Sequence, residues 1–218
     1  MMIKEAFSVF WMTLKDTWEE LYSLIIVNMA WFFAVLGLPV LLLSVGNIII
    51  QSAGILLFLL LFPATIPGIY AVGNIVAHAK TFHFSEFLAA IKKYWWRGLL
   101  WFLANLAIIF IIWVDIQFYP VLLQSMFGIA VGGIFMALFV FWCAMQMYFW
   151  PLLIEQEEPK LLRAWRNSAF LILANPFYAF FIGVFSLILL AVSIGLGLIP
   201  LAFVGMVALA VLGNNAVL

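Results

Sequence analysis

The sequence predicts an all-α polytopic membrane protein, with six transmembrane helices arranged as three tandem units, each an interfacial helix followed by a hairpin. Three observations carry that expectation. Of 218 residues, 69% are hydrophobic and 8% charged, against roughly 45–50% apolar and about 25% charged in an ordinary soluble domain. The apolar residues fall in runs of about 20, the length a helix needs to cross a hydrocarbon core of about 30 Å. All nine Lys and Arg residues lie in the N-terminal stretch or in alternate connections between those runs, as the retention of basic loops on the cytoplasmic side requires.

The same composition excludes whole classes. A soluble fold needs polar surface that nine basic and nine acidic residues cannot supply. The formal charge is zero, so no global field draws DNA or RNA, and no nucleic-acid partner is expected. The runs are continuously apolar, without the alternation of a barrel strand. Cys143 stands alone, too few thiols for an internal disulfide or a four-ligand zinc site, and reads as a small buried hydrophobe. Lys4, Glu5, Lys15, Asp16, Glu19 and Glu20 punctuate the first 20 residues, so no cleaved signal peptide is predicted.

Each element follows in order. Ile3, Phe7, Phe10, Trp11, Leu14, Trp18 and Leu21 recur at three- and four-residue intervals, which predicts an interfacial amphipathic helix. The first span runs from Leu21 to Leu43, and the second from Ile48 to about Ala77, interrupted by Pro63 and Pro67. Ser85, a suitable N-cap with Glu86 in the first turn, opens a second amphipathic stretch with Phe84, Phe87, Leu88, Ile91 and Trp95 on one stripe. Spans three and four run from Gly98 to Val114 and from Phe127 to Trp150. Pro159 reads as the first residue of a third amphipathic helix whose Lys160, Arg163 and Arg166 recur every three residues. Ser168 to Val192 and about Gly197 to Leu212 complete the set. This topology places both termini in the cytoplasm.

Asn28, Asn105 and Asn175 each stand near the start of a span that follows an amphipathic stretch, and proline appears in the span after each. The single transmembrane domain, 1–218, is thus expected to comprise units 1–79, 80–154 and 155–218.

Phe62-Pro63-Ala64-Thr65, then Gly68-Ile69-Tyr70-Ala71-Val72 and Phe84-Ser85-Glu86-Phe87, form one distinctive block. Tyr148 to Leu153, Leu161 to Arg166 and Leu173-Ala174-Asn175-Pro176 form another. In these blocks, and in overall layout, the chain resembles the YesL-like integral membrane proteins of bacteria, departing from them at Pro67 where a small residue is expected. The resemblance implies a bacterial cytoplasmic membrane and a role near carbohydrate uptake. It brings no catalytic or binding residues.

Candidate site residues come from chemistry that is out of place in lipid. Pro63 and Pro67 remove backbone donors, and unwound backbone at membrane depth occurs only where it is buried or lines a cavity; the alternative is a simple kink. Asn28, Asn105, Asn175 and Gln146 must find hydrogen-bond partners, so they serve either as interhelical ties or as contacts to a solute. Lys92, Lys93, Arg97, Lys160, Arg163 and Arg166 are expected at the membrane surface. Asp115 is read as a solvated charge where the third span ends, and Gly128, Gly132 and Gly133 as a small-residue face for another helix. His78, His83 and Glu86 match no zinc spacing and read as headgroup contacts, while Trp95, Trp96, Tyr119, Tyr148 and Trp150 suit an aromatic belt. No phosphate loop, intramembrane carboxylate pair or Ser, His and Asp set is present, so neither an enzyme nor a cofactor is expected.

The functional expectation is an accessory or regulatory subunit that scaffolds a membrane-protein partner, in carbohydrate uptake by the resemblance, or that assembles as a homo-oligomer among membrane lipids. The competing readings are a transporter or channel for a small neutral solute and a lipid-binding protein. They predict different interiors: a packed bundle for the scaffold, a polar midplane cavity for the transporter, and a lateral apolar groove for the lipid binder.

Overall fold

The computed structural model describes residues 2–195 and 205–218. Every regular element among them is helical: α1 (Met2–Glu19), α2 (Leu21–Phe32), α3 (Leu38–Leu43), α4 (Ile48–Ala77), α5 (Phe84–Leu123), α6 (Met126–Ile154), α7 (Leu161–Ala174), α8 (Pro176–Gly195) and α9 (Met206–Asn215). Leu21–Leu43, α4, α5, α6 and Pro176–Ser193 are five helical segments long and apolar enough to cross a membrane. The chain is a multi-pass helical membrane protein by that measure. The sixth expected span, from Gly197, lies partly outside the described residues, and α9 is its described part.

Local chemistry explains the boundaries. Between α2 and α3 the helix widens to a π turn at Phe33–Gly37, where the Leu38 N–H bonds the Phe33 carbonyl. Pro39 follows, and its ring would clash with a carbonyl held in ordinary α geometry four residues back. Asn47 caps α4 by accepting from the N–H of Ile49 at 2.9 Å. At the far end of α4 the N–H groups of Ala79 and Lys80 return to Val76 and Ile75, a Schellman closure with Ala79 at a left-handed φ of 52°.

Several expected boundaries move. The second amphipathic stretch and the third span are one helix, α5, of 40 residues. No Pro or Gly pair separates them, so the hydrogen-bond ladder runs on, and Asp115 lies inside the helix rather than at its end. The N-cap of α5 is His83, not Ser85, and its N–H donates to Glu86 Oε2 at 2.9 Å. Helix α7 starts at Leu161 with Lys160 extended, so Pro159 precedes the helix instead of opening it. The fifth span starts at Pro176 and not at Ser168, because Asn175, held at φ −135° and ψ 62°, precedes a proline that disfavours α geometry there. Pro63 and Pro67 do not unwind α4, which stays helical from Ile48 to Ala77.

The core forms around the short apolar helix α9. Val207, Ala210, Val211, Leu212, Gly213, Asn214 and Asn215 of α9 are all buried, and Met206 and Leu209 are partly so, which encloses most of the helix's circumference. A Cβ on Gly73 of α4 would lie 2.7 Å from the Ala210 carbonyl carbon, and one on Gly213 would lie 3.0 Å from the Met147 oxygen of α6. On one side of α9, Leu24, Val27, Trp31, Ile69, Val72, Phe149 and Trp150 pack together. On the other, Ala6, Met145, Tyr148, Ile182, Phe185 and Leu212 form a second cluster. Tyr148 and Trp150 belong to this interior at 0% and 1% exposure rather than to an aromatic belt, whereas Trp95 and Trp96 are exposed.

Candidate functional site

Three sets of side chains have the chemistry to matter: polar groups within the spans, a polar cluster at the basic end of the bundle, and an apolar groove between α6 and α8.

Asn105 and Gln146 are brought together by two tryptophans. Trp101 and Asn105 lie one turn apart on α5, as do Trp142 and Gln146 on the antiparallel α6. Trp101 Nε1 donates to Gln146 Oε1 at 2.9 Å, and Trp142 Nε1 donates to Asn105 Oδ1 at 2.9 Å. Each amide nitrogen turns back to the carbonyl of its own helix's tryptophan, Asn105 to Trp101 at 2.8 Å and Gln146 to Trp142 at 3.2 Å. The result is a reciprocal latch with each carboxamide donating and accepting inside the protein. Asn28 is tied elsewhere: its Oδ1 accepts from the backbone N–H of Met206 at 3.2 Å and of Val207 at 3.3 Å, so α2 holds the described start of α9. Asn175 is half-buried at the break between α7 and α8 and engages no hydrogen-bond partner among the described residues through its side chain. The three asparagines that look equivalent in sequence thus take three different positions.

The prolines mark a packing contact. Gly98 of α5 comes so close to α4 that a Cβ there would sit 2.0 Å from the Pro63 carbonyl oxygen and 3.4 Å from the Pro67 ring. Gly128 and Gly132 likewise bring α6 onto Tyr119 and Pro120 of α5, while a Cβ on Gly133 would meet nothing within 4 Å among the described residues. The small-residue face is therefore split, two glycines inside the hairpin and one outside.

At the basic end the ends of four helices, α1, α4, α6 and α9, are pinned by side chains that the sequence did not mark as a site. Asn214 Nδ2 donates to the Tyr70 and Ala210 carbonyls, and Asn74 donates to Asn214 Oδ1 at 3.2 Å and closely to Glu155 Oε1. Asn215 donates to Asp16 Oδ2 at 2.9 Å and to Thr13 Oγ1 at 3.2 Å, joining α1 to α9. The signal was present as an Asn-Asn pair closing an apolar run. His78 Nε2 stands 3.7 Å from Glu155 Oε1, whereas Glu86 serves His83, so these three residues do not converge on one point.

The predicted surface cations divide. Arg97 Nε donates to the Pro159 carbonyl at 3.1 Å, which ties α5 to the segment before α7. Lys160 pairs with Glu158 at 3.0 Å. Arg163 and Arg166 are exposed and pair with no carboxylate among the described residues. Lys92 is exposed without an ion pair as well.

The groove has a volume of about 730 Å³. Ala144 and Met147 of α6 form one wall and Ala179 and Gly183 of α8 the other, with Tyr70 and Leu209 beneath. Val140, Phe180 and Leu187 on its lips are exposed, so it opens sideways off the bundle. Cys143 lines it and is exposed, contrary to the buried position expected. Of the polar groups in its lining, Gln146 is committed to the latch and Ser186 Oγ to the Ile182 carbonyl at 3.0 Å, which leaves the Tyr70 hydroxyl and the Cys143 thiol. Such a lining suits hydrocarbon and offers little to a polar solute.

Comparison of the chain with family models, with curated proteins and with solved structures finds no match.

Proposed function

We propose that this chain is a lipid-binding membrane protein of the bacterial cytoplasmic membrane, with both termini cytoplasmic and its hydrocarbon ligand in the groove between α6 and α8. One observation carries the reading: the described interior holds a lateral, apolar cavity of about 730 Å³ and commits its span carboxamides to protein partners. Transport of a neutral polar solute has less support, because Asn28, Asn105 and Gln146 spend their hydrogen-bonding capacity holding helices together. Six spans and a three-unit build remain the reading of the sequence pattern, and the resemblance to YesL-like proteins implies a role near carbohydrate uptake.

A second reading rests on a separate feature. Beyond Asn105 no residue of α5 is buried, and between Gly132 and Met145 none of α6 is. The distal half of this hairpin is an apolar prong packed on itself, suited to lie against a partner protein or a second copy. This keeps the accessory-subunit function in play, with the prong as its docking element.

Photoreactive side chains separate the two. Placed at Leu187 on the groove lip, the probe should yield a lipid adduct in native membranes. Placed at Ile129 on the prong, it should yield a protein adduct only if the accessory reading holds. A Leu187 probe that captures protein and no lipid would overturn the lipid reading.

A further inference from the structure

The groove does not end in neutral surroundings. Its end at Ile172 and Pro176 is where α7 meets α8. Six residues before Ile172, about 9 Å along the helix at 1.5 Å per residue, stands Arg166, with Arg163 one turn further back. Both guanidinium groups are exposed and without a carboxylate among the described residues. Glu158, the nearest acid in sequence on that side, is paired with Lys160. Around these cations the surface is apolar: Leu162, Phe170 and Leu173 are 80%, 63% and 67% exposed. A helix with such a face rests in the headgroup layer, with its basic groups level with phosphate. At the rim itself Asn175 presents a half-buried carboxamide with no hydrogen-bond partner in the described chain.

Length fits as well as charge. From Pro176 to Leu190 the α8 wall of the groove rises about 21 Å at 1.5 Å per residue. One leaflet contributes about half of a 30 Å hydrocarbon core, so an acyl chain entering at Pro176 is covered along its whole depth. The lining is apolar to the far end, at Ala137 and Leu190.

We infer that the groove takes one acyl chain of an anionic phospholipid whose headgroup is held by Arg163 and Arg166, with Asn175 at the rim. This rests on the lipid-binding reading and adds to it a headgroup class and the residues that select it. A zwitterionic lipid has the same chain and a phosphate, but its own ammonium offsets that phosphate and leaves it no net charge to give the two cations. Guanidinium groups suit phosphate because they donate in a planar fork.

The test is retention of lipid by the full chain reconstituted in bilayer discs of equal phosphatidylglycerol and phosphatidylcholine, then released into mild detergent and weighed intact by mass spectrometry. Wild type should retain one phosphatidylglycerol per chain. The double variant Arg163→Gln and Arg166→Gln should still retain a lipid but lose its preference by about thirtyfold, the equivalent of roughly 1 kcal/mol for each basic residue near an anionic surface. Gly183→Phe should fill the groove and abolish retention of either lipid, since among the described residues the only neighbour within 4 Å of a Cβ there is Met147 Sδ at 3.9 Å. Ala144→Phe on the opposite wall should do the same, which guards against a local folding defect in either variant. Retention of both lipids in equal amounts by wild type would overturn the headgroup assignment while leaving the groove intact. Retention of neither, or retention unaffected by both phenylalanines, would overturn the groove itself and the lipid reading with it.

Discussion

An amide inside a bilayer has no water to bond, and Asn105 and Gln146 answer that by trading indole donors across α5 and α6. Because each indole serves the carboxamide of the other helix, removing one leaves its partner unsatisfied. Asn105→Leu and Trp142→Phe, measured singly and together by thermal denaturation in detergent, should give a coupling energy near 0.6 kcal/mol and no more than about 1.7 kcal/mol. Strict additivity would mean the two do not share a bond. Asn105 and Gln146 were legible as polar residues that needed partners. Their partners were not, because an indole near a span can equally sit at the interface. A second single-residue prediction concerns Ala79, a left-handed Cβ residue at the position where helices favour glycine. Ala79→Gly should stabilise the protein by about 1 kcal/mol, the left-handed penalty reduced by glycine's greater entropy in the unfolded chain. An unchanged or lowered melting midpoint would show that the Schellman turn is not limiting.

Helices reached their observed limits through effects of one or two residues. The turn to a new span at Pro176 depends on proline's constraint on the residue before it, and the sequence reading placed the start eight residues too early because Ser168 to Ala174 is as apolar as a span. The continuity of α5 was missed for the opposite reason, since a change from amphipathic to uniformly apolar patterning looks like a boundary yet breaks no hydrogen bond. Glycines decide which elements touch. Gly98→Leu should drive side-chain atoms into the Pro63 carbonyl, and because the obstacle is backbone it should sharply reduce folded yield on size exclusion. Gly133→Leu, with nothing within 4 Å of its Cβ among the described residues, should fold as well as wild type. If instead Gly133→Leu shifted a larger species to a smaller one, the outward glycine would be an oligomer contact.

For the whole molecule, the gathering of charge at one end is matched by the hydrogen bonds that collect α1, α4, α6 and α9 there through Asp16, Asn74, Glu155, Asn214 and Asn215. That end should be cytoplasmic by the distribution of Lys and Arg. With Cys143 replaced by Ala, a cysteine at Lys92 should resist a membrane-impermeant maleimide added outside cells, and a cysteine at Gln124 in the α5–α6 turn should react. The reverse pattern would invert the topology and move the Arg163 and Arg166 end to the outer leaflet.

The sequence alone determined that the chain lives in lipid, where its long helices lie and which end carries its cations, because these follow from composition, run length and the energetics of charge in a bilayer. It also named the polar groups that had to be satisfied. Only the tertiary structure decided what satisfied them, that the short helix α9 is the buried hub, and that α6 and α8 stand apart to leave a groove. Those outcomes depend on which helix faces which. In a chain apolar on nearly every face, periodicity does not mark the buried side; close contacts at Gly73, Gly98 and Gly213 do, and they exist only once the helices have met.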